Sequence, residues 1–103
     1  MKKVTILIPC YNEEQSLPLL YQELSSLIDN HQEYDWEILF VNDGSKDNTI
    51  NVIRQLKSLV CGGGYISYID LSRNFGKEAA MLAGFDYATG DCMVIMDADL
   101  QHP

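Results

Sequence analysis

Four short apolar runs alternate with three stretches of helical periodicity, and this alternation restricts the fold more than any other feature of the chain. Val4-Thr5-Ile6-Leu7-Ile8 is β-branched and uncharged and closes at Pro9, the pattern of a buried strand. Ser16 is placed to cap a helix that has Pro18 in its first turn. Leu17, Leu20, Tyr21, Leu24, Leu27 and Ile28 then form one apolar stripe at helical spacing. Trp36 to Val41 reads as a second strand, stopped by Asn42-Asp43-Gly44. A second helix follows, capped by Asp47 or Ser45, with Ile50, Ile53, Leu56 and Val60 inward and Cys61-Gly62-Gly63-Gly64 at its end. Tyr65 to Leu71 is a third strand. Asn74 is placed to cap a third helix from Lys77 to about Ala88, ended by Thr89-Gly90. Cys92 to Met96 is the fourth strand. The order βαβαβαβ, with apolar strands and short connections, predicts an α/β fold: a Rossmann-like, doubly wound parallel sheet of four strands with three helices on its two faces.

Composition removes several function classes. The chain has 103 residues and a net charge of −8, from 7 Lys+Arg against 15 Asp+Glu. One domain is the expectation for this length. Nucleic acid is excluded as a partner, since phosphate contacts need clustered cations and the one adjacent basic pair is Lys2-Lys3. No apolar run approaches the ~20 residues of a membrane-spanning helix, and Val4 to Ile8 is too short for the core of a signal peptide. Cys10, Cys61 and Cys92 are odd in number and far apart, with neither CxxC nor histidine at ligand spacing. We expect three free thiols acting as small buried hydrophobes in a reducing, cytoplasmic setting.

In open parallel sheets ligands bind beyond the carboxyl ends of the strands, where the strand order reverses. The chemistry-bearing residues of this chain collect at those ends. If the order is 3-2-1-4, the loops after strands one and four are neighbours, and Tyr11, Glu13, Asp97 and Asp99 share one crevice. Asp97-Ala98-Asp99 is the sharpest element. Its carboxylates repel unless a cation lies between them, and a divalent metal uses such oxygens while leaving positions open for phosphate. Gln101 adds a further oxygen; a solvated turn in which the acids cap backbone N–H groups is the competing reading. Asp43 accepts hydrogen bonds either from a ligand or from its own backbone as an Asx or capping residue. Tyr11 stacks on a base or packs its loop. Glu13 and Glu14 face the site or complement the first helix N-terminus. Arg73 and Lys77 contact phosphate or form surface ion pairs. Met81, Met93 and Met96 fill the core. The first turn lacks GxGxxG, which excludes a dinucleotide-binding unit, and P-loop spacing is absent.

Four stretches carry a resemblance that covers essentially the whole chain, residues 1–103. Ile8-Pro9-Cys10-Tyr11-Asn12-Glu13-Glu14, Val41-Asn42-Asp43-Gly44-Ser45-Lys46-Asp47-Asn48-Thr49 and Met96-Asp97-Ala98-Asp99-Leu100-Gln101-His102-Pro103 resemble the N-terminal, nucleotide-binding part of a family-2 glycosyltransferase with the GT-A fold. Ser72-Arg73-Asn74-Phe75-Gly76-Lys77-Glu78-Ala79-Ala80 is similar to the branch that glycosylates polyprenyl phosphates, which includes enzymes like dolichol-phosphate mannose synthase. The resemblance implies that Pro9, Tyr11, Glu13, Val41 and Asp43 line a nucleoside pocket. It implies that Asp97, Ala98 and Asp99 meet the diphosphate, with Asp97, Asp99 and Gln101 holding Mg²⁺ or Mn²⁺ and with Lys77 and Arg73 near the phosphates. Asn42 stands where the family often has the first acid of an Asp-Asp pair.

The implied reaction is transfer of a hexose from a UDP- or GDP-sugar to a polyprenyl phosphate, with the catalytic base, the acceptor half and any membrane spans expected beyond Pro103. The fragment is then expected to bind donor and turn over nothing, and the parent protein to be anchored at the cytoplasmic face of a membrane. Two rivals share the fold. A non-catalytic binding or interaction module would keep donor affinity without activity. A receiver-type signalling domain needs a phosphorylatable Asp after strand three, where this chain has Leu71-Ser72. In a 3-2-1-4 sheet the apolar fourth strand is an edge, and we expect self-association through it or a poorly ordered C-terminus.

Overall fold

A computed structural model describes residues 2–58 and 64–98. Its elements run β1 (Lys3–Cys10), α1 (Leu17–Asn30), β2 (Asp35–Asn42), α2 (Thr49–Ser58), β3 (Gly64–Asp70), α3 (Lys77–Tyr87) and β4 (Cys92–Ile95). The four strands form one parallel sheet, as the alternation predicts, and its order β3-β2-β1-β4 is the one on which the shared crevice depends.

Strand side chains alternate between faces, and the two faces carry two cores. Val4, Ile6, Ile8 and Cys10 of β1 and Trp36, Ile38 and Phe40 of β2 pack with Leu17, Leu20, Leu24 and Ile28 of α1 and Ile53 and Leu56 of α2. On the opposite face Leu7, Leu39 and Val41 meet Ala80 of α3. The second layer is thin because α3 lies close. A Cβ on Gly84 would come 2.3 Å from Leu7 Cδ1, so a glycine is required for that approach. Large apolar side chains of α3 and β4, among them Leu82, Phe85, Tyr87, Val94 and Ile95, stay exposed.

Several local expectations are corrected. Ser16 occupies the cap position of α1 but its side chain makes no cap hydrogen bond; the Glu13 carbonyl instead receives the N–H groups of Ser16 and Leu17. Asp47 rather than Ser45 serves α2, its Oδ1 accepting from Thr49 N at 3.0 Å. Asn74 does not cap α3, where Gly76 holds the cap position. Cys10 is buried but Cys92 is exposed, because β4 is the edge of the described sheet; both thiols are free. Val60, Cys61 and the Gly62-Gly63 stop signal lie outside the described residues. Among the described residues no helix is long and apolar enough to cross a membrane.

A buried polar contact ties the amino-terminal end of the sheet together. Glu37 is 3% exposed, and its Oε1 accepts from Thr5 Oγ1 at 2.7 Å and Thr89 N at 3.1 Å. Burial pushes this carboxyl up, but the hydrogen bonds from Thr5 and Thr89 and the charge of Lys3 outweigh it and hold it below its ordinary value.

Candidate functional site

The register places the functional loops at one level. Cys10 pairs with Asn42, and Asn42 with Asp70, so β1, β2 and β3 release their loops side by side. The ladder runs on past the strands: Asp43 N donates to Cys10 O at 2.8 Å and Leu71 N to Asn42 O at 2.9 Å. On the other side of β1, Met96 N donates to Leu7 O at 3.0 Å, which carries Asp97 and Ala98 up to the same rim.

Short polar side chains stitch the β1 and β2 loops together. Asn12 N donates to Ser45 Oγ at 2.9 Å, and Lys46 N to Asn12 Oδ1 at 2.8 Å. Glu13 N donates to Thr49 Oγ1 at 2.8 Å. Asn12 holds φ at 56°, a left-handed conformation that asparagine tolerates better than most residues. Buried Asn42 donates from Nδ2 to Asp70 Oδ1 at 3.0 Å while its Oδ1 accepts from Ser45 Oγ at 2.5 Å. An amide can do both. A carboxylate at position 42 would oppose Asp70, which gives a physical reason for Asn42 in this chain.

The Asp43 carboxylate is the anchor of the β3–α3 loop. Oδ1 accepts from Phe75 N at 2.8 Å, and Oδ2 accepts from Gly76 N at 3.0 Å and Asn74 Nδ2 at 3.1 Å. Asn74 Nδ2 also lies 3.1 Å from the Asp43 carbonyl oxygen. Gly44 allows this docking. It holds φ at 67°, and a Cβ there would fall 2.2 Å from the backbone carbon of Arg73. The loop delivers Lys77, the first residue of α3, whose Nζ lies 2.8 Å from Asp97 Oδ1.

These loops border an open cleft of about 400 Å³ lined by Pro9, Cys10, Tyr11, Glu13, Asp43, Asn74, Gly76, Lys77, Asp97 and Ala98. Seven of the residues singled out from sequence thus meet there: Pro9, Tyr11, Glu13, Asp43, Lys77, Asp97 and Ala98. Val41 does not. It is fully buried against Leu7, Leu39 and Ala80 because its position in the strand alternation turns it to the α3 face. Arg73 is not on the lining either; its guanidinium lies over the Phe75 ring, 4.7 Å from the centroid. Asp99 and Gln101 lie outside the described residues.

Cys10, Asn74 and Gly76 line the cavity although the sequence pointed to other roles for them. Burial, with the Glu13 charge second, pushes the Cys10 thiol well above its ordinary value, so it stays protonated and unreactive. The Asn74 contact has no local signature, because its partner is 31 residues away.

The sequence signature described as Glycosyl transferase family 2 matches residues 5–103. The chain belongs to this family. A family-2 glycosyltransferase chain of this length spans about a third of its relatives. It is 47% identical over 100 residues to the putative glycosyltransferase CsbB of Bacillus subtilis (strain 168), covering 97% of this chain and 29% of that protein. It is 39% identical over 101 residues to the prophage bactoprenol glucosyl transferase homolog of Escherichia coli (strain K12), covering 98% and 32%. Among solved structures, a mannosyltransferase from Pyrobaculum calidifontis in complex with GDP-Man and Mn²⁺ superposes with a TM-score of 0.70 at 27% identity, over 95% of this chain and 28% of that one. S. aureus TarS 1-349 in complex with UDP superposes at 0.79 and 20% identity, over 94% and 27%, and shares the fold.

In this family-2 chain the described part of the site holds three carboxylates, Glu13, Asp43 and Asp97, and one ammonium, Lys77. No group of three His, Cys, Asp or Glu able to hold a metal ion occurs among the described residues. Asp97 offers hard oxygen of the kind that suits Mg²⁺ or Mn²⁺, and the other two expected ligands, Asp99 and Gln101, stand two and four positions after it in sequence.

Proposed function

We propose that the protein carrying this chain transfers a hexose from a UDP- or GDP-sugar to a polyprenyl phosphate, and that residues 1–103 supply the donor side of the site. One observation carries the reading: a single cavity at the carboxyl ends of a 3-2-1-4 sheet brings an aromatic ring, a buried carboxylate and an ammonium–carboxylate pair together. The lipid acceptor is supported by the bactoprenol glucosyl transferase homolog among the relatives. UDP and GDP-Man in the structural neighbours support a nucleoside diphosphate donor.

Tyr11, more than a third exposed on the lining, supplies a face on which a base stacks. Asp43 shapes the nucleoside end: its carboxylate fixes the Asn74–Gly76 backbone, and Oδ1 keeps a second lone pair for a base N–H. Lys77 meets the diphosphate as a mobile point charge. The acceptor phosphate oxygen attacks the anomeric carbon while the bond to the diphosphate breaks. The residues that align the acceptor belong to the remainder of the protein, as does anchoring at the cytoplasmic face of a membrane. With three lining carboxylates against one ammonium, a departing diphosphate needs more positive charge than this cavity offers. A divalent ion held by Asp97, Asp99 and Gln101 would supply that charge as a Lewis acid.

Transfer from UDP-glucose, UDP-N-acetylglucosamine and GDP-mannose to polyprenyl phosphate, followed as labelled glycolipid, tests the proposal on the protein that carries this chain. One donor is consumed, and Asp97→Ala abolishes the product. Absence of glycolipid from all three donors with active lipid present overturns the reading. Robust turnover by residues 1–103 alone overturns the division of the site.

A further inference from the structure

We propose that Ser45 is a positioning residue for Tyr11: it holds the turn after β1 in the backbone conformation that presents the Tyr11 ring to a nucleotide base. The inference rests on the donor-site reading above and names what orients its stacking face.

The starting observation is the backbone of Asn12. Its φ of 56° is a left-handed conformation, which a residue with a side chain keeps only where surrounding contacts hold it. Two contacts do so. Asn12 N donates to Ser45 Oγ at 2.9 Å, and Asn12 Oδ1 accepts from Lys46 N at 2.8 Å. The next two residues are held from the same loop: Glu13 N donates to Thr49 Oγ1 at 2.8 Å, and Glu14 N lies 3.4 Å from Asp47 Oδ2. On the other side of Tyr11, Cys10 is buried and its carbonyl accepts from Asp43 N. Tyr11 thus stands between two pinned residues, on the cleft lining and 39% exposed. No hydrogen bond or ring contact holds its side chain among the described residues, so the backbone sets where the ring goes.

Ser45 is itself oriented from two strands away. Its hydroxyl donates to Asn42 Oδ1 at 2.5 Å, and Asn42 Nδ2 donates to Asp70 Oδ1 at 3.0 Å. With its one proton committed to Asn42, the Ser45 oxygen has lone pairs left to accept the Asn12 N–H. The relay Asp70–Asn42–Ser45–Asn12 therefore runs from the end of β3 across β2 to the turn after β1. Ser45 is not on the cleft lining, so it acts on a bound base only through that turn.

The test is binding of UDP and GDP, with Mg²⁺ present, to this chain and to Ser45→Ala, Tyr11→Leu and the double variant. Broadening of the base proton resonances of the nucleotide reads dissociation constants into the millimolar range. Tyr11→Leu removes the stacking ring but keeps an apolar contact, so that binding stays measurable. Circular dichroism confirms that each variant is folded. Ser45→Ala binds the preferred nucleotide about threefold or more weaker than the unmodified chain. In the Tyr11→Leu background the same change costs less than about 1.5-fold, because the ring it orients is gone. Amide exchange at Asn12 is faster in Ser45→Ala, and at Ile8 and Phe40 it is unchanged. Asn12→Gly repeats the result if Ser45→Ala fails to fold: glycine takes the left-handed backbone freely, and loss of Oδ1 loosens the same turn from its other side. Unchanged nucleotide affinity in both Ser45→Ala and Asn12→Gly, or an equal loss with and without the Tyr11 ring, overturns the inference while the donor site stands. A folded, unmodified chain that binds neither nucleotide overturns both.

Discussion

The Asp43 carboxylate receives two backbone N–H groups and one side-chain amide, so Asp43→Asn leaves at least one part-buried donor without an acceptor. We expect a loss of about 1–3 kcal/mol in urea denaturation, with faster amide exchange at Phe75 and Gly76. Gly44→Ala meets both a left-handed backbone and the Arg73 carbonyl carbon, and is expected to lose about 2 kcal/mol or more by the same measurement. Asn42→Asp sets a second carboxylate against Asp70 at the distance of the present 3.0 Å hydrogen bond. That pair prefers to hold a proton in the folded state. The variant is therefore less stable than the unmodified chain at pH 7, and the deficit shrinks as pH falls through the raised carboxyl value. Denaturation midpoints at neutral and acid pH check it. Asp43 and Asp97 were legible in the sequence as acids that end strands. The Asn42–Asp70 and Asn74–Asp43 contacts were not, because each joins residues about 30 positions apart with no periodic signature.

At the scale of elements, the strands and helices follow from apolar pattern within a residue or two: β1 and β2 are buried on both faces and α1 along one stripe, while the apolar β4 is recognisable although most of it stays exposed. The helix caps do not. Ser16 and Asn74 have the right chemistry for capping, but a neighbouring carbonyl turn and a more distant carboxylate compete for the same positions. The Glu37 contact shows the same limit: a charged residue in β2 is silent until Thr5 and the α3–β4 turn are brought to it. It also makes the sheet pH-sensitive. The Glu37 carboxyl is lowered in the folded chain, so it contributes stability above its ordinary value of 4.5 and loses it as pH falls through the folded value. The unmodified chain is expected to lose stability as pH falls below the ordinary carboxyl value of 4.5, and Glu37→Gln to be less stable at pH 7 but flatter across that fall. Urea denaturation across pH decides it; a slope unchanged in Glu37→Gln contradicts the assignment.

For the whole molecule, the alternation of apolar strands with helices sufficed for a parallel, doubly wound sheet, because such strands have few other ways to be buried; the order β3-β2-β1-β4 entered the sequence reading only as a condition, which the structure meets. What the pattern could not show is how much apolar surface remains. Leu82, Phe85, Tyr87, Val94 and Ile95 are exposed on α3 and on the edge strand β4. We predict concentration-dependent self-association of this chain, read as a rising light-scattering mass and reduced by Val94→Lys. A monomer mass constant with concentration would contradict it.

Calorimetric titration decides whether the cavity between Tyr11, Asp43, Lys77 and Asp97 is a donor site. UDP and GDP, each with and without Mn²⁺, are titrated into this chain and into Asp97→Ala. One nucleotide is expected to bind, Mn²⁺ to strengthen its binding, and Asp97→Ala to remove the metal effect. Nucleotide binding that is absent from the folded chain, or unchanged by both Mn²⁺ and Asp97→Ala, would contradict the donor site.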